Sequence, residues 1–203
     1  VKFCEYYYSD LIPNLSTAKS PQQMLGALVK TYYAQAKGID PGKIISVAIM
    51  PCTAKKFECQ RPEMNSAGVL QGKPEMRDVD YVLTTRELAR LIKRQKIDLN
   101  ALEDASYDRL MGEGTGAGVI FGATGGVMEA AIRGAYYIIT HEDPPEALLN
   151  LTPVRGLESV KEATVTIPGV GPLSVAVCHG LKNARTILDE VRAGKSRWQF
   201  IEF

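Results

Sequence analysis

Between Ile44 and Met50 the chain runs apolar and rich in β-branched residues until Pro51 stops it. A short run of that kind reads as a strand covered on both faces, the strand type of a parallel sheet flanked by helices. Asp80 to Thr84 is a second such run. The segments around the two runs carry helix signals. Ser20-Pro21-Gln22-Gln23 puts Ser at the N-cap, Pro at the first helical position and Gln at the third. Met24, Leu25, Leu28, Val29, Tyr32 and Tyr33 then recur at helical spacing, and Gly38 closes the helix. Thr85 is placed to cap a helix over Glu87 to Lys96, with Leu88, Leu91 and Ile92 as its apolar stripe. Thr124-Gly125-Gly126 precedes a helix over Val127 to Ile139. Strands alternating with helices before residue 140 predict an α/β core with parallel pairing.

The other segments read less regularly. Phe3 to Leu11 has the pattern of an aromatic-rich helix stopped near Pro13, Asp40-Pro41-Gly42 is a turn, and Phe57 to Arg77 is a long excursion. After the break at His141-Glu142-Asp143-Pro144-Pro145, Ala163 to Ile167 and Leu173 to Cys178 form a hairpin across Pro168 to Pro172. Asn183 to Val191 is helical, Gly194 ends it, and Trp198 to Phe203 is a last strand. The pattern predicts two lobes. Residues 1–140 form a parallel α/β lobe with helices on both sheet faces, carrying Met50-Pro51-Cys52, and 141–203 form a smaller lobe with a mixed sheet.

Composition narrows the function classes. Of 203 residues, 45% are apolar and 23% charged, which fits an ordinary folded domain. Lys and Arg total 24 against 23 Asp and Glu, a net charge of +1, so there is no electrostatic footprint for nucleic acid or an anionic membrane. No apolar run approaches the ~18–20 residues that span a bilayer, and the start is not a signal peptide. Opening on Val1 is what a processed product or a piece of something longer would do. Four cysteines in a chain of this size read as reduced thiols in a cytoplasm. There is no CxxC, and His141 and His179 are the only histidines, so no zinc-site spacing is announced. If Cys52 and Cys59 shared a helix, two turns (~10.5 Å) would separate them, too far for one ion.

The glycine-rich stretch Gly112 to Gly118 invites a nucleotide-binding reading and fails on register, because Ala117 stands where a third glycine is required. Gly194-Lys195-Ser196 resembles the end of a phosphate loop, but Asp189 stands where that loop needs its first glycine. Such glycines let backbone come close to another backbone or to a cofactor. Met50-Pro51-Cys52-Thr53-Ala54-Lys55 is more informative. A Cys at the carboxyl end of a parallel strand lies where open α/β sheets place ligands, and a short helix beginning there favours thiolate. Lys55, three residues on, would then stabilise an anion beside the sulfur. Spacing alone also allows an inert buried Cys with Lys55 as a solvated charge.

Met50 through Glu58 resembles the central cluster-binding signature of the [FeFe]-hydrogenases, iron-only enzymes of hydrogen metabolism. The resemblance extends through Leu15 to Gln23, Leu83 to Leu88, Val119 to Glu129, Val154 to Glu158 and His179 to Ala184, and is strongest to the catalytic subunit of soluble NAD(P)-linked types. It implies a [4Fe–4S] cubane bridged through a cysteine sulfur to a di-iron unit carrying CO and cyanide. Cys52 would be one of four cubane ligands, and Lys55 would donate to a cyanide. Met50 would pack near the bridging CO, and Ser16 would stand on the proton path. Gln22 and Phe121 would surround the di-iron unit. Cys4, Cys59 and Cys178 match no ligand position.

The resemblance also marks what this chain lacks: a Cys-Cys-Pro segment that would precede Val1 and a Cys-containing, glycine-rich segment that would follow Phe203. The resemblance implies that the parent protein turns over hydrogen, while one thiolate of about four predicts that this chain alone is inactive and free of cluster. H2 and protons, with ferredoxin or NAD(P)-reducing subunits as electron partner, are the implied reactants of the parent. An exposed apolar groove near Cys52 and Phe121, relieved by self-association, is a further expectation. Competing readings are an iron–sulfur assembly factor of the same superfamily and a non-catalytic α/β interaction module. Met50 and Lys55 speak against the assembly factor, since a protein with no di-iron unit has no cyanide for a lysine to hold.

Overall fold

A computed structural model describes residues 1–155, 157 and 159–203; Gly156 and Glu158, within the Val154 to Glu158 block, lie outside the described residues. In chain order the elements are α1 (Lys2–Tyr7), α2 (Pro21–Leu28), a π segment (Val29–Tyr33), α3 (Ala34–Lys37), β1 (Val47–Met50), α4 (Ala54–Glu58) and α5 (Ser66–Leu70). Then come β2 (Tyr81–Thr84), α6 (Thr85–Arg94), α7 (Gly116–Ile120), α8 (Gly126–Thr140), β3 (Thr152–Pro153), β4 (Val160–Ile167), β5 (Gly171–Cys178), α9 (Leu181–Arg192) and β6 (Phe200–Glu202). Among the described residues no helix is long and apolar enough to cross a membrane. The chain divides into a central unit, Thr17–Gly112, and a terminal unit, Val1–Ser16 with Glu113–Phe203.

In the central unit α2 starts where expected, with Ser20 extended and Pro21 in the first turn. The capping itself differs. Gln23 N and Met24 N both bond the Ser20 carbonyl at 3.0 Å, while the Ser20 hydroxyl makes no cap bond and Gln23 is buried with neither amide atom partnered. The helix continues through the π segment to Gly38, whose φ of 64° is the left-handed stop. Within the π segment the buried Lys30 ammonium donates to the Arg77 carbonyl at 2.7 Å and to Asp80 Oδ2 at 2.6 Å. That oxygen also takes Ser46 N at 2.6 Å, so one cation ties the helix to the entrances of both strands. Gly26 on the same helix permits close approach to the strand side, because a Cβ there would overlap the Asp78 carbonyl oxygen.

β1 and β2 pair in parallel, Val47 beside Tyr81 through Met50 beside Thr84. Ala48 and Met50 pack on Cys59, Val79 and Val82. The opposite face departs from the expectation of a doubly covered strand: Val47 is 50% and Ile49 40% exposed. Periodicity registers an apolar residue, not whether a second layer is there to meet it. The long excursion is also better ordered than its composition suggests. Fully buried Asp78 accepts Ala67 N at 2.8 Å and Ser66 N at 2.9 Å, so a carboxylate eleven and twelve residues downstream caps α5.

For α6 the cap is Thr84, not Thr85. Glu87 N donates to Thr84 Oγ1 at 3.1 Å and Thr84 N to Glu87 Oε2 at 2.8 Å, a reciprocal capping box. The Lys56 ammonium at 2.8 Å, with the Thr84 amide, holds the Glu87 carboxyl down at about 2 against an ordinary 4.5. A depressed carboxyl contributes stability that is full above 4.5 and lost as pH falls through about 2. Glu87→Gln is therefore expected to flatten the acid side of a stability–pH profile across that window, read from urea midpoints; parallel wild-type and variant profiles would count against it.

The terminal unit is built on a four-stranded mixed sheet in the order β3-β4-β5-β6, antiparallel except for the parallel β5–β6 pair. Alternate residues of β4 and β5 face opposite sides. On one side Val165, Ile167, Val175 and Val177 meet Met128 and Ile132 of α8; on the other Val160, Ala176 and Cys178 meet Ala184 and Ile187 of α9. Cys4 of α1 and Tyr8, the residue that ends it, pack against Leu188. Helix α8 thus belongs with the second sheet, and compactness breaks the chain at 16/17 and 112/113 rather than at 140. The mixed sheet, with four strands against two, is the larger one. Both sheet types are as expected; their sizes are reversed, because the pattern of alternating elements carries no information on which sheet a helix covers.

Candidate functional site

Cys52 stands two residues beyond the end of β1, and Thr53 caps α4. The half-buried thiol lines a hollow of about 350 Å3 with Pro51, Thr53, Thr84, Thr85 and Arg86. Parallel pairing produces this neighbourhood: Met50 lies beside Thr84, so the chain leaving β1 and the chain leaving β2 emerge at the same sheet edge. Thr84, Thr85 and Arg86 belong to the Leu83 to Leu88 block, and the sequence gives none of them a role at the Cys52 site. The signal that would have found them is the strand register.

On α4, Lys55 and Glu58 form an ion pair at 3.0 Å, and Gln22 Nε2 donates to the same Glu58 oxygen at 3.1 Å. Gln22 is 6% exposed, and its Oε1 is buried without a partner. Gln22 and Met50 line an apolar groove of about 620 Å3 that also includes Leu25, Val29, Val47 and Ile49. Lys56 anchors the arrangement from behind, donating to the Val82 carbonyl at 2.9 Å and pairing with Glu87. Four of the sequence-chosen residues, Gln22, Met50, Cys52 and Lys55, therefore fall in the central unit around β1 and α4.

Ser16 and Phe121 belong to the terminal unit. Ser16 lines a hollow of about 240 Å3 with Cys4, Leu15, Leu188 and Trp198. Phe121 ends α7 and is exposed. The close approach expected of Gly112, Gly114, Gly116, Gly118 and Gly194 is not seen, since a Cβ on any of them would meet nothing within 4 Å; it is Gly126 whose Cβ would overlap the Ile120 carbonyl oxygen. Glu202 accepts Gly125 N at 3.1 Å and Met128 N at 2.7 Å, filling the start of α8 from the last strand. His179 Nε2 lies 2.6 Å from Thr124 Oγ1.

Cys4, Cys59 and Cys178 are buried within apolar clusters, and burial pushes the Cys59 and Cys178 thiols up. Among the described residues no three His, Cys, Asp or Glu side chains come together to hold a metal ion. A [4Fe–4S] cluster takes about four thiolates. The residues around β1 and α4 fit a share of one: a single accessible thiol, an ammonium, and a buried amide oxygen that lacks a donor.

The family model described as "Iron only hydrogenase large subunit, C-terminal domain" matches residues 1–203. The chain is 50% identical to the periplasmic [Fe] hydrogenase large subunit of Nitratidesulfovibrio vulgaris, over 100% of this chain and 46% of that protein. It is 48% identical to the NADP-reducing hydrogenase subunit HndD of Solidesulfovibrio fructosivorans, over 97% of this chain and 32% of that one. An apo [FeFe]-hydrogenase structure from Chlamydomonas reinhardtii superposes with a TM-score of 0.80 at 39% identity, covering 98% of this chain and 55% of that one. More distantly, cytosolic iron-sulfur assembly component 3 of Pongo abelii is 32% identical over 96% of this chain and 40% of that protein. The chain spans about a third to a half of the curated relatives it matches.

Proposed function

The chain belongs to the iron-only hydrogenase large-subunit family, and from that premise we propose that it forms the Cys52 wall of a hydrogen-converting cluster site in a longer protein. When bound, the [4Fe–4S]-linked di-iron group carrying CO and cyanide supplies the centre at which hydrogen is split or formed. The residues of this chain hold and surround it. Cys52 gives one thiolate ligand. Lys55, with its ammonium steadied by Glu58, donates a charge-assisted hydrogen bond to an anionic ligand. Met50 keeps the approach to β1 apolar, and Gln22 offers a buried amide. Ser16, whose hydroxyl can both accept and donate a proton, and Phe121, an apolar ring, belong to the terminal unit and take their roles on the proton path and near the di-iron unit from the family resemblance alone.

The observation that carries the reading is the meeting of Lys55 and Gln22 on Glu58, six residues past a half-buried thiol at the carboxyl end of a parallel strand. The four unpaired thiols favour a cytoplasmic setting, and the NADP-reducing relative supports an NAD(P)-linked or ferredoxin-type electron partner. The assembly-component relative keeps a second reading alive, a protein with iron–sulfur clusters and no hydrogen chemistry. Purified, anaerobically loaded full-length protein is expected to reduce a viologen dye with H2 as sole donor; iron and sulfide present without that activity would favour the assembly reading. The 203 residues by themselves, offering one thiolate at the site, are expected to hold no cubane after reconstitution. About four irons per chain with a cubane spectrum would refute that.

A further inference from the structure

We infer that Glu58 is a positioning residue that fixes the orientation of the Gln22 amide and the reach of the Lys55 ammonium, so that the site presents one acceptor and one donor in set places. The inference rests on the proposal that the cluster binds beside Cys52. A carboxylate accepts hydrogen bonds and cannot donate them. Glu58 Oε2 takes Lys55 Nζ at 3.0 Å and Gln22 Nε2 at 3.1 Å. Turning the Gln22 amide over would set its oxygen against that carboxylate, so the nitrogen is committed to Glu58 and Oε1 is turned away. That oxygen is buried and has no partner, on a residue that is 6% exposed and lines the groove at Met50. A buried acceptor left unpaired is costly, so it is an acceptor held for a group not of this chain. A group received there meets a free acceptor at Gln22 and a positive charge at Lys55.

Glu58 acts through the other two side chains, and their geometry is what its substitution changes. Glu58→Gln replaces an acceptor-only group with an amide that both donates and accepts, so Gln22 is no longer restricted to one orientation and Lys55 loses its counter-ion. In the loaded full-length protein this variant is expected to shift or split the infrared cyanide stretching bands, with turnover falling about tenfold to a hundredfold. With Gln22→Ala already in place, adding Glu58→Gln is expected to cost less than it does alone, since two residues sharing one network are not additive. Unchanged bands and full turnover in Glu58→Gln, against a wild type that displays the bands, would overturn the inference and leave the cluster reading standing. A wild type with no cyanide bands would remove the reading and the inference together. Should Glu58→Gln fail to fold, Glu58→Asp carries the test: it keeps the charge while drawing the carboxylate back from Gln22, and bands identical to wild type would overturn the inference equally.

Discussion

Replacing Cys52 with alanine in the full-length protein is expected to abolish cluster retention and bring hydrogen turnover to background, while leaving the thermal unfolding midpoint nearly where it was. The two halves of that expectation have separate grounds. Cys52 is half-buried, lines an open hollow, and is a member of none of the apolar clusters. The local fold stands on other groups: the β1–β2 ladder, the Thr84–Glu87 box, and Lys56 bound to the Val82 carbonyl. Removing the sulfur therefore takes away a ligand without opening a core. Cys59→Ala is the control with the opposite signature. That thiol is 5% exposed among Val79 and Val82, so its loss is expected to lower stability by about 1 kcal/mol and leave iron content unchanged. Iron analysis and melting curves on both variants distinguish the roles. A Cys52→Ala protein that keeps its full iron would remove Cys52 from the ligand set.

The contrast between these cysteines was only partly legible in the sequence. Strand, stop and Cys, read from Ile44 to Cys52, placed the thiol correctly at the carboxyl end of a parallel strand, because that pattern is local and the pairing follows from α/β alternation. The π segment and α5 were not legible, since each depends on a remote group: Lys30 reaching Asp80, and Asp78 reaching back to Ser66 and Ala67. The cap of α6 was missed by one residue, although the Thr84–Glu87 spacing of three was in plain view. At the site, Lys55 follows from its spacing to Cys52 and from the family resemblance, and Gln22 from the resemblance alone, while Glu58, the carboxylate that joins them, has no part assigned by either. Its role appears only once α2 and α4 are brought side by side. Spacing within one helix finds the Lys55–Glu58 pair; nothing in a one-dimensional pattern finds a glutamine thirty-six residues earlier.

The largest stability loss from a single polar substitution is expected at Asp78. Its side chain is fully buried and receives three donors: Ala67 N at 2.8 Å, Ser66 N at 2.9 Å and the Lys19 ammonium at 3.3 Å. Alanine there leaves the buried Ala67 N–H and the part-buried Ser66 N–H without their acceptor and strips Lys19 of its ion-pair partner. Leaving a donor without its acceptor typically costs about 1–3 kcal/mol, and the Lys19 side chain is 24% exposed, so a loss of about 2–4 kcal/mol is expected, a large share of the 5–15 kcal/mol or so that holds an ordinary domain together. Lys19 keeps its bonds to the Glu63 carbonyl and the Ser66 hydroxyl, which favours the lower part of that range. Asp78→Asn separates charge from shape: its amide oxygen can still take one N–H while its NH2 faces the other, so an intermediate loss of about 1–3 kcal/mol is expected. Urea unfolding of the full-length protein measures both. Native-state hydrogen exchange adds the location, with Ser66 and Ala67 amides losing protection first because Asp78 is what caps α5. A loss below about 1 kcal/mol for alanine would mean that α5 is held by its packing, and that the carboxylate is a consequence of the burial there and not its cause.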